Sequence, residues 1–300
     1  MFLVSSIIIA VFGFTTAICT SFVPLVITRF LVGFGVGGLI IPFDILAEML
    51  PIHHRGRDLL FIEYFWTFGT MLVPVVAILT IGNETADVHS NTNGWRIFVA
   101  LCAIPCVIST AIGYWLVPES PRWLVGIGQP DKALEVLREG AKANGKDPYV
   151  AFPAYIRIQH EEPEATNVKD LFTPRWRWIT LRLWIVWACF AFLYYGIIIA
   201  TTFIFSETSD DPTQSDAYFF DYGAIFASCS AEIFGTTLTL FFVDRVGRIP
   251  LQSSSYVLGG VSAIILAVIA TQNPDGRSAL ITLAFFTRLF FHAANITTWV

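Results

Sequence analysis

Charge is scarce in this 300-residue sequence: Lys, Arg, Asp and Glu together make up 14%, against about a quarter in a soluble globular domain. With 55% hydrophobic residues and a mean hydropathy of +0.66, that scarcity excludes an ordinary soluble fold and points to a membrane protein. Short alternating strands are absent, which excludes a β-barrel. The five cysteines, Cys19, Cys102, Cys106, Cys189 and Cys229, all lie inside apolar runs, so neither a disulfide framework nor a zinc site is expected. None of the five histidines falls in an H-E-x-x-H pattern, no cysteine–histidine pair has ligand spacing, and no glycine-rich phosphate loop occurs. No enzyme activity, metal or cofactor is therefore expected.

What is present is a series of apolar blocks of about 20 residues, the length a helix needs to cross the hydrocarbon of a bilayer with its backbone polar groups satisfied internally. Eight spans are predicted, at 2–20, 24–48, 58–81, 95–117, 179–205, 220–243, 251–270 and 279–300. The expected fold class is an all-α membrane protein. Three regions follow: 1–117 as one group of spans, 118–178 as a polar connecting segment with short helices, and 179–300 as a second group. Orientation follows from the basic residues. The segments 49–57, 118–182 and 244–250 fall on one side and carry 14 of the 18 Lys and Arg residues, so they are assigned to the cytosol. The opposite loops, 82–94, 206–219 and 271–278, hold seven acidic residues and only Arg277 among basic ones. Asn83-Glu84-Thr85 in one of them is a glycosylation sequon. The basic residues thus report orientation at helix ends, and no nucleic-acid partner is expected.

The polar insert runs from 125 to 178. Pro130-Asp131-Lys132 opens an amphipathic helix with Ala133, Leu134, Val136, Leu137 and Ala141 on one side, ending at Asn144-Gly145. A second short helix is predicted at 167–173. Arg175-Trp176-Arg177-Trp178 reads as an interface anchor for the next span.

Several motifs occur together: RFLVGFGVGG at 29–38, AEMLPIHHRGR at 47–57, PESPRWL at 118–124, Tyr194-Tyr195-Gly196, and Val243-Asp244-Arg245-Val246-Gly247-Arg248. With these the chain resembles the major facilitator superfamily, and within it the branch of synaptic-vesicle-protein-2-related proteins and sugar and organic ion porters. The D-R-x-G-R loop departs from the usual pattern, with Ile249 where another basic residue is common and Leu240 where a glycine often precedes the acid. Twelve spans in two six-helix halves are usual in that family, and the eight here match the third to the tenth. The resemblance therefore implies a truncated major facilitator fold, a piece of a longer protein that alone would not transport.

Ionisable groups within hydrocarbon are costly and mark functional candidates. Here they are Arg29, Asp44, Glu63, Glu232, Arg288 and His292. If 24–48 is one continuous helix, Arg29, Gly33, Gly37, Asp44 and Glu48 fall within an arc of about 100°. That arc reads either as a close small-residue helix contact or, for Arg29, as the arginine that the resemblance implies supports the transport cycle. Glu63, Thr67 and Thr70 share a face with Trp66 beside them, and Ser228, Glu232, Thr236 and Thr239 form a second polar face. Both are expected to line a solute cavity, joined by the aromatic pair Tyr194 and Tyr195. Each glutamate has two readings, a group that binds solute or protons and a structural ion pair with a partner such as Arg288 or Arg29. Arg288 and His292, one turn apart, suggest a polar seam in the last span. The resemblance implies a further role for Glu48, Arg55, Arg57, Glu119, Arg122, Asp244, Arg245 and Arg248, as salt bridges between bundles that open and close a cytosolic gate. Exposed pairs contribute only about 0–1 kcal/mol each, which suits a lock that must open.

The function expected is secondary active transport of a small organic solute, a sugar or organic ion, by alternating access, with protons a candidate coupling ion. The membrane is the plasma membrane or that of an intracellular vesicle, and the partners are the lipid bilayer and the solute. The alternative is a membrane protein that binds a partner on the same scaffold without net transport. Glu63 and Glu232 in a wet cavity favour transport, and their pairing in a dry core favours the binder.

Overall fold

The computed structural model describes residues 2–38, 40–50, 55–81, 94–158, 167–208, 218–273 and 276–299. The sequon at 83–85 lies outside the described residues. Long helices correspond to the apolar blocks: α1 (Phe2–Ile18), α2 (Phe22–Val36) followed by α3 (Ile41–Met49), α4 (Arg55–Thr80), α5 (Gly94–Leu116), α9 (Arg177–Ile204), α10 (Tyr222–Val246), α11 (Arg248–Gln272) and α12 (Arg277–Trp299). Among the described residues, counting α2–α3 as one stretch, seven are long and apolar enough to cross a membrane, and α1 is a shorter apolar helix. Phe30, Phe34, Phe65, Trp115 and Phe192 stand exposed on their outer faces, as lipid-facing side chains do.

The second predicted span is not one helix. It breaks between Val36 and Ile41, where Gly35, Gly37 and Gly38 weaken helix propagation and Pro42, lacking an N–H, restarts it in the first turn of α3. The arc drawn through Arg29, Gly33, Gly37, Asp44 and Glu48 assumed one continuous helix, whereas Arg29 and Gly33 lie on α2 and Asp44 and Glu48 on α3. The close contact with α1 is made by other glycines. A Cβ on Gly35 would meet Ile9 at 2.7 Å and one on Gly38 would meet Ser5 at 1.8 Å, whereas Gly33 faces open space.

Among the described residues between α5 and α9 lie three short α-helices, α6 (Pro121–Gly126), α7 (Pro130–Ala143) and α8 (Pro148–Ala151). The amphipathic helix forms as its pattern predicts: Pro130 sits at its start, Ala133, Leu134 and Ala141 are buried, and Gly145 closes it with φ +70°. The stretch at 167–173 is a 3-10 turn, Val168–Phe172, opened by Asn167 and Asp170 bonding each other's backbone in a capping box. The guanidinium groups of Arg175 and Arg177 lie 5.2 and 5.4 Å from the rings of Trp176 and Trp178 at the foot of α9.

On the other side, two three-residue strands, β1 (Ser206–Thr208) and β2 (Tyr218–Phe220), pair antiparallel. Asp221 then caps α10 by accepting from the Ala224 N–H and pairs with Arg277 at the start of α12. At the opposite end of α10, Gly247 adopts φ 90° and ψ 157°, a region essentially restricted to glycine. It lets α11 start with no intervening loop.

α1 packs against α2 and α5; α12 packs against α9, α10 and α11; α4 packs on α5 and, across the molecule, on α10. The α4–α10 seam thus joins the two helix groups. At one level Leu60, Val243, Leu251 and Ile296 close it with an apolar cluster. Among the described residues the cysteines are free thiols.

Candidate functional site

The seam is polar at its centre. From α4 come Glu63, 4% exposed, and Thr67, fully buried; from α10 come Ser228, Glu232, Thr236 and Thr239, all 0% exposed. The helical spacing that put each set on one face also turns the two faces toward each other. Tyr64 of α4 and Thr237 of α10 share a hydrogen bond of 2.9 Å, and the Thr70 hydroxyl lies 2.9 Å from both Glu232 Oε2 and the Thr67 carbonyl.

Glu232 is the hub. Arg288 of α12 donates from Nε and from Nη2 to Glu232 Oε1, at 3.0 and 2.9 Å. Both partners are buried, at 4% and 0% exposure. In such a setting the attraction has to offset a large desolvation cost, and added hydrogen bonds are what make the pair tolerable. Tyr194 of α9 supplies one, donating to Oε1 at 3.4 Å while accepting from the Trp66 indole N–H at 2.7 Å. A chain of donors therefore runs Trp66, Tyr194, Glu232 and links α4, α9 and α10. His292, fully buried one turn beyond Arg288, meets Thr236 Oγ1 through Nε2 at 3.0 Å and holds Nδ1 3.9 Å from Glu232 Oε2.

Glu63 differs. It is buried, but among the described residues no side chain donates a hydrogen bond to its carboxylate. Beside it Trp66 is 39% exposed, so the aromatic wall of this acid is partly open. Tyr195 stacks edge-on against Tyr194 at 5.4 Å but points outward, and α9 runs unbroken through Gly196.

Of the candidate residues, the structure thus brings together Glu63, Trp66, Thr67, Thr70, Tyr194 and Glu232. Arg29 and Asp44 stand apart, each exposed and without an ion-pair or hydrogen-bond partner among the described residues. Asp44 instead lines a basin of about 980 Å³ together with Glu48, Arg55, Arg122 and α7. Around that basin Glu48 accepts from the Ser120 hydroxyl, which in turn caps α6 by accepting from the Trp123 N–H. Arg55 Nη2 reaches the Leu50 carbonyl at 3.4 Å. Arg57 lies 3.9 Å from Asp58. Glu119, Arg122, Asp244, Arg245 and Arg248 are exposed, and none of them forms an ion pair among the described residues. Arg288 and His292 completed the hub without being counted among the solute-site residues. Their i, i+4 spacing in an apolar span was the available signal.

A model of the sugar (and other) transporter family matches residues 1–300. The chain belongs to that family. Among the curated relatives, the synaptic vesicle 2-related protein of Pongo abelii is 30% identical over 96% of this chain and 52% of its own length. The solute carrier family 22 member 3 of Rattus norvegicus is 29% identical over 94% of this chain and 47% of its own. The family member described here therefore spans about half the length of the curated relatives it matches. Among solved structures, the xylose transporter XylE of E. coli in a partially occluded inward-open conformation aligns at TM-score 0.65 and 21% identity, covering 99% of this chain and 68% of that one. A second structure, the proton:xylose symporter XylE bound to 6-bromo-6-deoxy-D-glucose, aligns at 0.68 and 19%, covering 99% and 64%. At those identities the likeness establishes the fold, that of the major facilitator superfamily. The protein is accordingly a multi-pass integral membrane protein built for a lipid bilayer.

Proposed function

We propose that this transporter-family chain contributes the substrate path of a secondary transporter for a small organic solute, a sugar or an organic ion, moved by alternating access of two helix bundles. The observation that carries this reading is the buried Glu63 carboxylate, unpaired among the described residues, at the seam between bundles and beside the partly open Trp66. An acid kept in that position without a protein partner is arranged for a ligand that comes and goes. The division into 1–117, a connecting 118–178 and 179–300 is the matching proposal for what moves, with the charges at Glu48, Arg55, Arg57, Glu119, Arg122, Asp244, Arg245 and Arg248 gating the cytosolic side. Their lack of mutual ion pairs fits a gate standing open. Arg29 and Asp44 then act outside the solute site, Asp44 at the gate basin. The name of the synaptic vesicle 2-related relatives agrees with a vesicle membrane.

A second reading, a membrane protein that binds without net transport, draws support from one observation: Glu232 is already neutralised by Arg288 in a dry seam. The two separate in one experiment. The full-length protein carrying this chain is placed in vesicles and tested for uptake of sugars, organic cations and organic anions, with and without a pH gradient. Transport predicts concentrative uptake that falls at least about tenfold in Glu63→Gln, equivalent to roughly 1.4 kcal/mol. Saturable binding with no uptake in any class would favour the binder.

A further inference from the structure

Residues 167–182 hold four bases, Lys169, Arg175, Arg177 and Arg182, against one acid, Asp170. The acid is held by the backbone and not by a base: its Oδ2 accepts from the Asn167 N–H at 2.7 Å in the capping box. All four bases are exposed, and among the described residues none of them forms an ion pair or donates a side-chain hydrogen bond. Interleaved with them stand the exposed rings of Phe172, Trp176, Trp178 and Trp184.

This stretch folds as one unit. The 3-10 turn Val168–Phe172 lies back along α9: the Thr180 hydroxyl donates to the Leu171 carbonyl at 3.1 Å, and the Phe172 ring meets Trp184 edge-on at 5.6 Å. Trp184 stands two turns beyond Arg177, a rise of about 10 Å along the helix. The Phe172–Trp184 contact is therefore the level nearer the hydrocarbon. The chain reverses at Thr173–Trp176, where the Thr173 carbonyl accepts from the Trp176 and Arg177 N–H groups at 3.0 and 2.9 Å, and this puts Arg175 and Arg177 at the outer tip. Apolar rings at one level and bases at the next follow the order of a leaflet from acyl chain to headgroup.

The tip is also shaped for phosphate. The guanidinium groups of Arg175 and Arg177 lie over the Trp176 and Trp178 rings at 5.2 and 5.4 Å. Such a stack uses the face of the guanidinium and leaves its in-plane N–H fork free, and the fork matches two phosphate oxygens in a way that an ammonium does not. The basic residues assign this segment to the cytosolic side, where the leaflet carries anionic lipids.

We propose that the foot of α9 and the 3-10 turn packed on it bind an anionic phospholipid of the cytosolic leaflet. The Arg175 and Arg177 forks hold its phosphate, Lys169 and Arg182 add attraction for the surplus negative charge, and Phe172 and Trp184 lie against its acyl chains. The lipid thereby fixes the foot of the helix whose Tyr194 reaches Glu232. The site stands on the charge and geometry of this segment and does not depend on the transport reading.

The test is native mass spectrometry of the full-length protein carrying this chain, in detergent, titrated with phosphatidylserine or with phosphatidylcholine. A base near an anionic headgroup strengthens attraction about fivefold, so the wild type should bind phosphatidylserine at least about tenfold more tightly than phosphatidylcholine. Arg175→Gln/Arg177→Gln should reduce that preference to less than about threefold, whereas Lys132→Gln on the exposed side of α7 leaves it unchanged. Arg175→Lys/Arg177→Lys keeps both charges and removes the forks, which guards against a loss of fold; it should lower the preference at least about threefold. Absence of any preference in the wild type, the outcome if another segment of the full-length protein covers this face, overturns the proposal. So does a full preference in either arginine double variant. Equally tight, arginine-dependent binding of inorganic phosphate would place a soluble anion at the tip and overturns it as well.

Discussion

Replacing Arg288 by methionine removes a cation of similar length from the centre of the seam and leaves Glu232 with no counter-charge. Both side chains are almost wholly buried, and two of the bonds to Oε1 come from this guanidinium. Breaking one half of a buried pair costs about 3–5 kcal/mol, because the remaining ion is stranded in low dielectric. At roughly 2–4 °C per kcal/mol for chains of about this size, the lower bound of that cost corresponds to a fall in melting temperature of about 6–12 °C. The double variant Arg288→Met/Glu232→Leu removes both charges and should recover most of the loss, since apolar replacement of a whole buried pair is often neutral or stabilising. The assay is thermal unfolding in one detergent, followed by fluorescence-detected size exclusion, for wild type, both single variants and the double. A single variant that melts within about 1 °C of wild type, or a double variant no better than the worse single, would refute the argument that this pair is held by mutual neutralisation.

Other outcomes follow from local geometry. Gly235→Ala drives a methyl into the α12 backbone at Leu289 and is expected to cost about 1–3 kcal/mol by overpacking, read in the same melting assay; Gly33→Ala, which meets nothing within 4 Å, serves as the control and should be neutral or slightly stabilising. Gly247→Ala forces a side chain into the φ 90° backbone between α10 and α11 and should cost about 1–3 kcal/mol. Ser120→Ala removes the acceptor for the Trp123 N–H at the start of α6, with an expected loss of about 0.5–2 kcal/mol and faster proteolysis within residues 121–126. Arg277→Ala breaks a pair whose arginine is 70% exposed, so a change of no more than about 1 kcal/mol is expected.

Much of the architecture was legible because it rests on local rules. The length of each apolar block sets a span, and Pro130, the apolar side of 133–141 and Gly145 set α7 without reference to anything distant. The faces Glu63-Thr67-Thr70 and Ser228-Glu232-Thr236-Thr239 were legible for the same reason, as helical periodicity alone assembles them. The failures were also physical. The stretch 24–48 is predominantly apolar, so hydropathy does not register that it divides into α2 and α3. Gly33 and Gly37 match a packing spacing as well as Gly35 and Gly38 do. Which set contacts α1 depends on the rotation of α2 about its axis, which composition leaves open.

The sequence by itself determined that this is a multi-pass helical membrane protein, where its apolar blocks lie, in which segments the basic residues gather, and that a few acids and bases lie within the apolar blocks. Hydrophobic length and periodicity are properties of contiguous residues, and they do not require a neighbour. Only the tertiary structure decided that Glu232 belongs to Arg288 and His292 while Glu63 has no hydrogen-bond partner for its carboxylate among the described residues, and that Tyr194 receives the Trp66 indole. Those pairings depend on which helices adjoin and in what register, and at 3–4 Å a shift of a single helical step would exchange one partner for another.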